Sequence, residues 1–262
     1  YKLIKGNLQN KGLLDHIFQN NKITHIIHYA AQSHVDNSFS TPLQYTIDNI
    51  LGTHNLLECT RKYCKTLKLF IHVSTDEVYG ESLLNESSKT ELSVLCPTNP
   101  YAASKAGAEL IANSYLCSFK MPIIITRGNN VYGPNQYPEK LIPKFIKLLK
   151  ENKQVTIHGD GSSLRAFIYV DDVSSAFKTL LNKGKIGEIY NIGCDNEMEY
   201  SVIDVAKLLI QRIHNTNDYD KWITYIDDRP FNDKRYYISN KKIKELGWDI
   251  KVNFTEGINI LI

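Results

Sequence analysis

LKLFIHVSTDEVYG, residues Leu67–Gly80, contains the feature that decides the fold: an apolar run with a polar segment directly behind it. The run Leu67–Val73 predicts a buried strand. Apolar runs predict two further strands, Ile23–His28 (ITHIIH) and Pro122–Thr126 (PIIIT). Helical periodicity predicts helices over Pro42–Cys64 and Pro100–Phe119. Strands that alternate with helices of this length predict an α/β fold with a parallel sheet. Burial on both faces explains why the strand runs are continuously apolar.

The pattern becomes looser after about Gly133. A cluster of Gly, Pro and Asn residues from Asn129 to Asn135 marks the change and indicates the start of a smaller C-terminal lobe. In this half the periodicity predicts helices over Glu139–Lys150, Asp171–Asn182 and Ser201–Ile213, and short strands over Val155–His158, Phe167–Val170 and Glu188–Asn191. A polar loop is predicted over His214–Lys221.

Composition excludes several classes of protein. The 262 residues carry 31 basic and 28 acidic side chains, for a net charge of +3. This balance argues against nucleic acid or an anionic membrane as a partner. The five cysteines have no CxxC spacing, so we expect reduced thiols in the cytoplasm. No apolar run is long enough to span a membrane, and no metal site is expected.

The sharpest chemical motif is Tyr101-Ala-Ala-Ser-Lys105 at the start of a predicted helix. Positions i and i+4 lie on one helical face, so the two functional groups are neighbours. A nearby ammonium is expected to lower the pKa of the Tyr101 phenol, which could then accept a proton from a hydroxyl. Alone, this spacing would indicate an ordinary helix surface.

A second motif, Ser74–Gly80 (STDEVYG), follows the predicted strand Leu67–Val73. Open α/β sheets bind their ligands at the carboxyl ends of parallel strands. Asp76 and Glu77 would otherwise be assigned to a solvated turn. Their position before the Tyr101–Lys105 helix favours a pair of catalytic carboxyl groups.

Together, VSTDEVYG and NPYAASK resemble the nucleotide-sugar 4,6-dehydratases of the extended short-chain dehydrogenase/reductase superfamily. Segments along most of the chain share the resemblance: His28–Asp36, Asn129–Pro134, Pro138–Pro143, His158–Gly161 with Arg165, Tyr190–Gly193 and Asp228–Asp233. The resemblance implies a Rossmann-like doubly wound sheet in residues 1–132, which binds NAD. Residues 133–262 would mainly form the nucleotide-sugar lobe, with some segments returning to the first domain.

The resemblance also implies roles for individual residues. The catalytic set would be Thr75, Asp76, Glu77, Tyr101 and Lys105. Cofactor contacts would come from Asn7, Leu8, Ala30, Ala31, Ser33, Ser74, Tyr101, Lys105 and Val131. Substrate contacts would come from His34, Thr75, Asn130, Lys140, Leu141, Arg165, Arg229 and Asn232. The family further implies a homodimer paired through the two long helical segments.

The implied reaction has three stages. Tyr101, aided by Thr75 and Lys105, takes the O4 proton of dTDP- or UDP-glucose as a hydride leaves C4 for NAD. Glu77 then removes the C5 proton while Asp76 protonates the departing O6 hydroxyl. Hydride return to C6 completes the 4-keto-6-deoxy sugar. This scheme requires Glu77 to be ionised while Asp76 is protonated.

The sequence departs from the family pattern in three places. No GxxGxxG loop is present, and Lys5–Leu8 already resembles a later segment that contacts adenine. We therefore expect the first βαβ portion to be lacking from this sequence. Asn7 stands where the family has Asp. Asn232 replaces a His common in dTDP-glucose enzymes, and with Arg127 it suggests the UDP-glucose dehydratases of rhamnose synthesis.

Two alternatives remain open from the sequence. One is a 4-epimerase or decarboxylase of the same superfamily, although related epimerases carry Ser or Ala where this chain has Asp76 and Glu77. The other is a non-catalytic nucleotide-sugar-binding partner, which the absent glycine loop favours. The complete set of acid–base residues argues against this second alternative.

Overall fold

The computed structural model describes residues 1–195, 198–228 and 231–262. The chain divides into two compact units. The first unit comprises residues 1–80, 93–127 and 180–190, and the second comprises 81–92, 128–179 and 191–262. Each unit is therefore assembled from segments that are distant in the sequence.

The structure contains the strands and helices that the sequence predicts, together with others that it does not predict. The strands are β1 (His25–His28), β2 (Leu69–Thr75), β3 (Ile123–Gly128), β4 (Asn130–Tyr132), β5 (Val155–His158), β6 (Leu164–Tyr169), β7 (Ile189–Ile192), β8 (Glu199–Ser201) and β9 (Ile223–Ile226). The helices are α1 (Lys11–Asn20), α2 (Val35–Ser40), α3 (Pro42–Tyr45), α4 (Gly52–Tyr63), α5 (Pro100–Phe119), α6 (Leu141–Lys150), α7 (Val170–Lys183), α8 (Val202–His214), α9 (Lys241–Lys244) and α10 (Phe254–Leu261).

The first unit is built on a sheet of order β1-β2-β3-β7. Strands β1 and β2 pair in parallel, with His28 opposite His72. Phe70 and Ile71 on β2 are fully buried, as expected for a strand covered on both faces. Helices α1, α4 and α5 supply the rest of one core cluster, which includes Leu14, Phe18, Leu57, Ala112 and Tyr115. The predicted parallel α/β fold is confirmed.

The predicted helix over Pro42–Cys64 contains a π-helical segment. Thr46–Leu51 forms this segment between α3 and α4, and the flanking residues Tyr45 and Gly52 keep right-handed helical angles. The side chain of Asn49, in its middle, is buried. Single π turns inside α-helices commonly lie at functional sites.

The second unit contains two small sheets, of order β4-β6-β8 and β5-β9. Strand β6 is parallel to β4 and antiparallel to β8. Helices α6, α8 and α10 enclose its main core, where Phe254 stacks on Tyr200 with ring centroids 4.2 Å apart. Among the described residues, no helix combines the length and apolar character that a membrane span requires.

Candidate active site

A cluster of polar side chains lies where β2 ends. The strand ends at Thr75, and Asp76–Tyr79 form a 3₁₀ turn directly behind it. The Thr75 hydroxyl caps this turn: its Oγ1 accepts from the Glu77 amide at 3.4 Å and donates to Asp76 Oδ1 at 3.1 Å. Asp76 is 3% exposed, whereas Glu77 is partly exposed. The two adjacent carboxyl groups therefore have different environments.

Gly80 ends the turn in a conformation that favours glycine. Its φ is +75°, and a Cβ there would lie 2.2 Å from the carbonyl oxygen of Cys96. The Cys96 amide in turn donates to the Val78 carbonyl at 2.9 Å. This close approach of two backbones holds the carboxylate turn in place.

The amino terminus of α5 lies against the same turn. Asn99 is the N-cap: its Oδ1 accepts from the Ala102 amide at 2.8 Å. Its Nδ2 donates to Glu77 Oε2 at 3.2 Å, so one buried side chain both starts the helix and orients a carboxylate. Asn99 was not among the residues that the sequence predicted for the site. Its position before Pro100, a typical helix start, is the signal that could have found it.

Tyr101 and Lys105 are both buried on α5, at 8% and 5% exposure. Lys105 Nζ donates to the Val73 carbonyl at 2.6 Å, which ties the helix to β2. Burial lowers the pKa of the Lys105 ammonium to about 8. Lys105 therefore has a proton that it can lose at mildly alkaline pH.

The expected lowering of the Tyr101 pKa by Lys105 is wrong for this structure. Burial raises the pKa of the Tyr101 phenol and the charge of Glu77 raises it further, whereas a hydrogen bond with Thr75 lowers it. Lys105 is directed to the Val73 carbonyl instead of the phenol. The group that favours the phenolate in this arrangement is thus Thr75.

The buried side chain of Asn49, in the π-helical segment, bonds to two elements of the site. Its Nδ2 donates to Ser104 Oγ at 2.8 Å and to the Gln32 carbonyl at 3.0 Å. Its Oδ1 accepts from the Gln32 amide at 2.7 Å. One buried amide therefore connects α5 to the loop that follows β1. Nothing in the sequence pattern distinguished Asn49 from other helix positions.

The residues expected to contact the cofactor occupy three places. Asn7 and Leu8 precede α1, where Asn7 Oδ1 accepts from the Gln9 amide at 2.8 Å and the Leu8 carbonyl accepts from Asn55 at 3.1 Å. Ala30, Ala31 and Ser33 are exposed in the loop after β1. Val131, also exposed, lies on β4 in the second unit.

The Ser74 side chain indicates that this strand end fits a polar cofactor. Its Oγ is buried and finds no hydrogen-bond partner among the described residues. A buried hydroxyl without a partner is costly unless a ligand satisfies it. With the exposed backbone after β1, the residues present fit a ligand that carries hydroxyl groups, such as a dinucleotide.

The residues expected to contact substrate are divided between the units. His34 precedes α2 in the first unit, where its carbonyl accepts from the Tyr45 hydroxyl. In the second unit, Asn130 is exposed on β4, Lys140 is the N-cap residue of α6, and Leu141 is its first helical residue. Arg229 lies outside the described residues.

Arg165, on β6, is fixed by several acceptors in the second unit. Its Nη2 donates to Asn232 Oδ1 at 2.8 Å, and its Nη1 donates to the Asp233 carbonyl at 2.9 Å. Its guanidinium lies 5.3 Å from the ring centroid of Tyr236. Asn232 Nδ2 donates onward to Asp228 at 3.1 Å, so Asn232 orients the arginine.

Several proteins of known activity are similar to this chain. The family model described as GDP-mannose 4,6 dehydratase matches residues 1–261. The dTDP-D-glucose 4,6-dehydratase of Homo sapiens is 49% identical, over 98% of this chain and 73% of its own length. The chain belongs to the nucleotide-sugar 4,6-dehydratase family. Both the expected family and the expected enzyme class, an NAD-dependent lyase, are confirmed by such relatives.

Two further proteins of the family are similar to this chain. A trifunctional UDP-glucose 4,6-dehydratase, 3,5-epimerase and reductase of Arabidopsis thaliana is 48% identical over 98% of this chain. The chain spans only 38% of the length of that relative. The dTDP-glucose 4,6-dehydratase of Streptomyces venezuelae, solved with NAD bound, is 36% identical with a TM-score of 0.88, covering 97% of this chain and 76% of that one.

Proposed function

We propose that this chain carries the active site of an NAD-dependent nucleotide-sugar 4,6-dehydratase that converts dTDP- or UDP-glucose into its 4-keto-6-deoxy sugar. The observation that carries the proposal is the pair Asp76 and Glu77 at the end of β2, joined through Asn99 to the helix of Tyr101 and Lys105. Elimination of water requires an acid and a base in addition to the residues that oxidise C4. A simple epimerase does not need this pair.

In the first stage, Tyr101 accepts the proton of the sugar O4 hydroxyl. Thr75 would favour the phenolate by turning its one hydroxyl hydrogen from Asp76 to Tyr101. Lys105, whose ammonium donates to the Val73 carbonyl, supplies a buried positive charge on the same helix face. When bound, NAD accepts a hydride from C4 and donates one to C6.

In the second stage, Glu77 takes the C5 proton, which the 4-ketone has made acidic, and Asp76 protonates the O6 hydroxyl as the C6–O6 bond breaks. The surroundings favour this division of roles. Asp76 is 3% exposed, and burial disfavours a charge there. Glu77 is partly exposed and accepts a hydrogen bond from Asn99, which favours its ionised form.

The first unit would bind NAD at the carboxyl ends of its strands. Ser74 and Lys105 would donate to hydroxyl groups of the cofactor, and the loop of Ala30, Ala31 and Ser33 would lie along it. Asn7 and Leu8 would contact the adenine end. The unpartnered Ser74 hydroxyl supports this arrangement.

The second unit would bind the nucleotide diphosphate. Arg165 presents a guanidinium that its neighbours hold in one orientation, which suits bidentate recognition of phosphate. Further substrate contacts in this unit would come from Asn130, Lys140, Leu141, Arg229 and Asn232. Because Asn232 and Arg127 resemble the pattern of the UDP-glucose dehydratases, we propose that UDP-glucose is used at least as well as dTDP-glucose.

We also propose a homodimer and a cytoplasmic location. The helical segments Pro42–Tyr63 and α5 expose apolar side chains, including Leu43, Leu51, Leu110 and Phe119, that a second copy could cover. The five cysteines are free thiols, which suits a reducing compartment. A monomeric mass by light scattering of the complete protein would contradict the dimer.

The test uses the complete protein that contains this chain, with Glu77→Gln and Tyr101→Phe variants. The parent should form the 4-keto-6-deoxy sugar. Glu77→Gln should lower product formation by about 10²–10⁴-fold, the range of a positioned general base, while reduced nicotinamide accumulates in the near ultraviolet. Tyr101→Phe should accumulate none. Parent turnover to an epimeric hexose or a pentose, or full activity of Glu77→Gln, would refute the proposal.

A further inference from the structure

Three charged side chains lie buried behind the Tyr101–Lys105 motif. Glu109 is one helical turn beyond Lys105 on α5, so the two share a face. Glu109 also pairs with Arg127 on β3, whose Nε donates to Glu109 Oε1 at 2.9 Å. Exposures of 5% for Lys105, 2% for Glu109 and 3% for Arg127 exclude water from all three. An unpaired charge here would be strongly destabilising.

The arginine engages only one side of the carboxylate. Both its Nε and its Nη2 donate to Glu109 Oε1. Glu109 Oε2 is buried and has no hydrogen-bond partner among the described residues. Arginine–carboxylate pairs frequently engage both oxygens of the carboxylate. Here the second oxygen, Glu109 Oε2, remains available to a neighbouring cation.

The other groups around Lys105 cannot supply that charge. Glu109 on α5 is the charged side chain that acts on the Lys105 pKa, and Lys105 in turn acts on His28 on β1 and His72 on β2. Asp76 and Glu77, in the turn packed on α5, act on the Tyr101 pKa. Burial and Lys105 itself lower the pKa of both histidines, so their imidazoles are neutral. Glu109 raises the pKa of Lys105 against the larger effect of burial, which lowers it.

We propose that Glu109 is a positioning residue that keeps the Lys105 ammonium protonated, and that Arg127 holds Glu109 in place and ionised. The inference rests on the proposed function, in which Lys105 acts as a cation. The reaction then needs Lys105 with its proton, so activity falls as pH rises through the Lys105 pKa. Removing the Glu109 charge lowers that pKa further, and the alkaline limb of the pH profile moves to lower pH.

The test measures kcat/KM against pH in the complete protein, from about pH 6 to pH 10. Glu109→Gln should lower the alkaline midpoint by about one unit, at the low end of the effect of an opposite charge within a few ångströms. The double variant Glu109→Gln/Arg127→Gln also removes the arginine charge that Glu109→Gln alone would leave without its partner, while Lys105 keeps the Val73 carbonyl as its acceptor. It should show a shift in the same direction, and a smaller one because a neighbouring positive charge is also lost, while its KM below pH 7 stays near that of the parent.

Two control variants separate charge from packing. Glu109→Asp keeps the carboxylate and should keep the alkaline midpoint of the parent. Glu58→Gln removes a different carboxylate of the first unit, one paired with Arg61, and should also leave the midpoint unchanged. An unshifted midpoint in the double variant would overturn the inference, because the pair would then serve packing alone. A double variant that does not fold would overturn it for the same reason. A parent that makes no 4-keto-6-deoxy sugar would instead refute the proposed function.

Discussion

Two buried histidines should make the protein lose stability in mild acid. His28 and His72 face each other on β1 and β2, with ring centroids 5.5 Å apart and exposures of 4% and 0%. Burial, helped by the charge of Lys105, lowers the pKa of His28 from 6.5 to about 3 and places that of His72 well below its usual value. Neither ring nitrogen of His72 has a hydrogen-bond partner among the described residues.

The sign and size of the effect follow from proton linkage. Both histidine pKa values are lower in the folded state. In mild acid the unfolded chain therefore binds two protons that the folded chain does not bind. The free energy of unfolding is highest above the histidine pKa of the unfolded chain, about 6.5. It decreases as the pH falls towards the lower pKa values of the folded state. From about pH 7.5 to pH 5.5, each histidine should lower the free energy of unfolding by about 1.4 kcal/mol, and the pair should lower it by about 2.7 kcal/mol.

Urea unfolding of the complete protein at the two pH values, followed by circular dichroism, measures this difference. His72→Phe keeps an aromatic ring of similar size and cannot be protonated, so it should recover about 1.4 kcal/mol, half of the loss. His16→Gln, at an exposed helix position, is the matched control and should recover nothing. If His72→Phe loses as much stability in acid as the parent, His72 is not the buried neutral imidazole described above.

Three other substitutions test the architecture of the site. Gly80→Ala should lose at least about 1–2 kcal/mol in urea unfolding, because φ is +75° and the added Cβ would lie 2.2 Å from a backbone oxygen. Asn99→Ala removes a helix cap and should cost about 1 kcal/mol. It should also slow product formation, because Glu77 loses a hydrogen-bond donor; an unchanged rate would contradict the orienting role. Asn232→Ala should raise the KM for the nucleotide sugar with little change in kcat, because it releases Arg165; an unchanged KM would exclude that role.

Much of the fold could be predicted because its longer helices are periodic and its buried strands are continuous apolar runs. Helix α5 begins at Pro100 and ends at Phe119 as predicted, and β5 has its predicted limits. The position of Thr75, Asp76 and Glu77 at a strand end also followed from the sequence, since an apolar run stops directly before them. Short elements such as α2, β8 and α9 escaped prediction because three to six residues contain too little periodicity.

The supporting contacts of the site could not be predicted in the same way. Asn49 contacts Ser104 and Gln32, which lie 55 and 17 residues away, and local pattern contains no information about such pairs. The direction of the Lys105 ammonium towards the Val73 carbonyl depends equally on how α5 packs on β2. The error in the expected Tyr101 pKa arose here, because spacing along a helix does not specify burial or the direction of a long side chain.

The π-helical segment at Thr46–Leu51 changes which way the rest of its helix faces. In an α-helix each residue advances the chain by about 100° around the axis, so the one additional residue of a π turn offsets everything after it by that angle. Tyr45 and Asn49 are turned towards the site, and Leu56 and Leu57 are turned into the core. Deletion of one residue here would keep the segment helical but would rotate α4 by about a quarter turn around its axis. Its apolar face would then no longer point into the core.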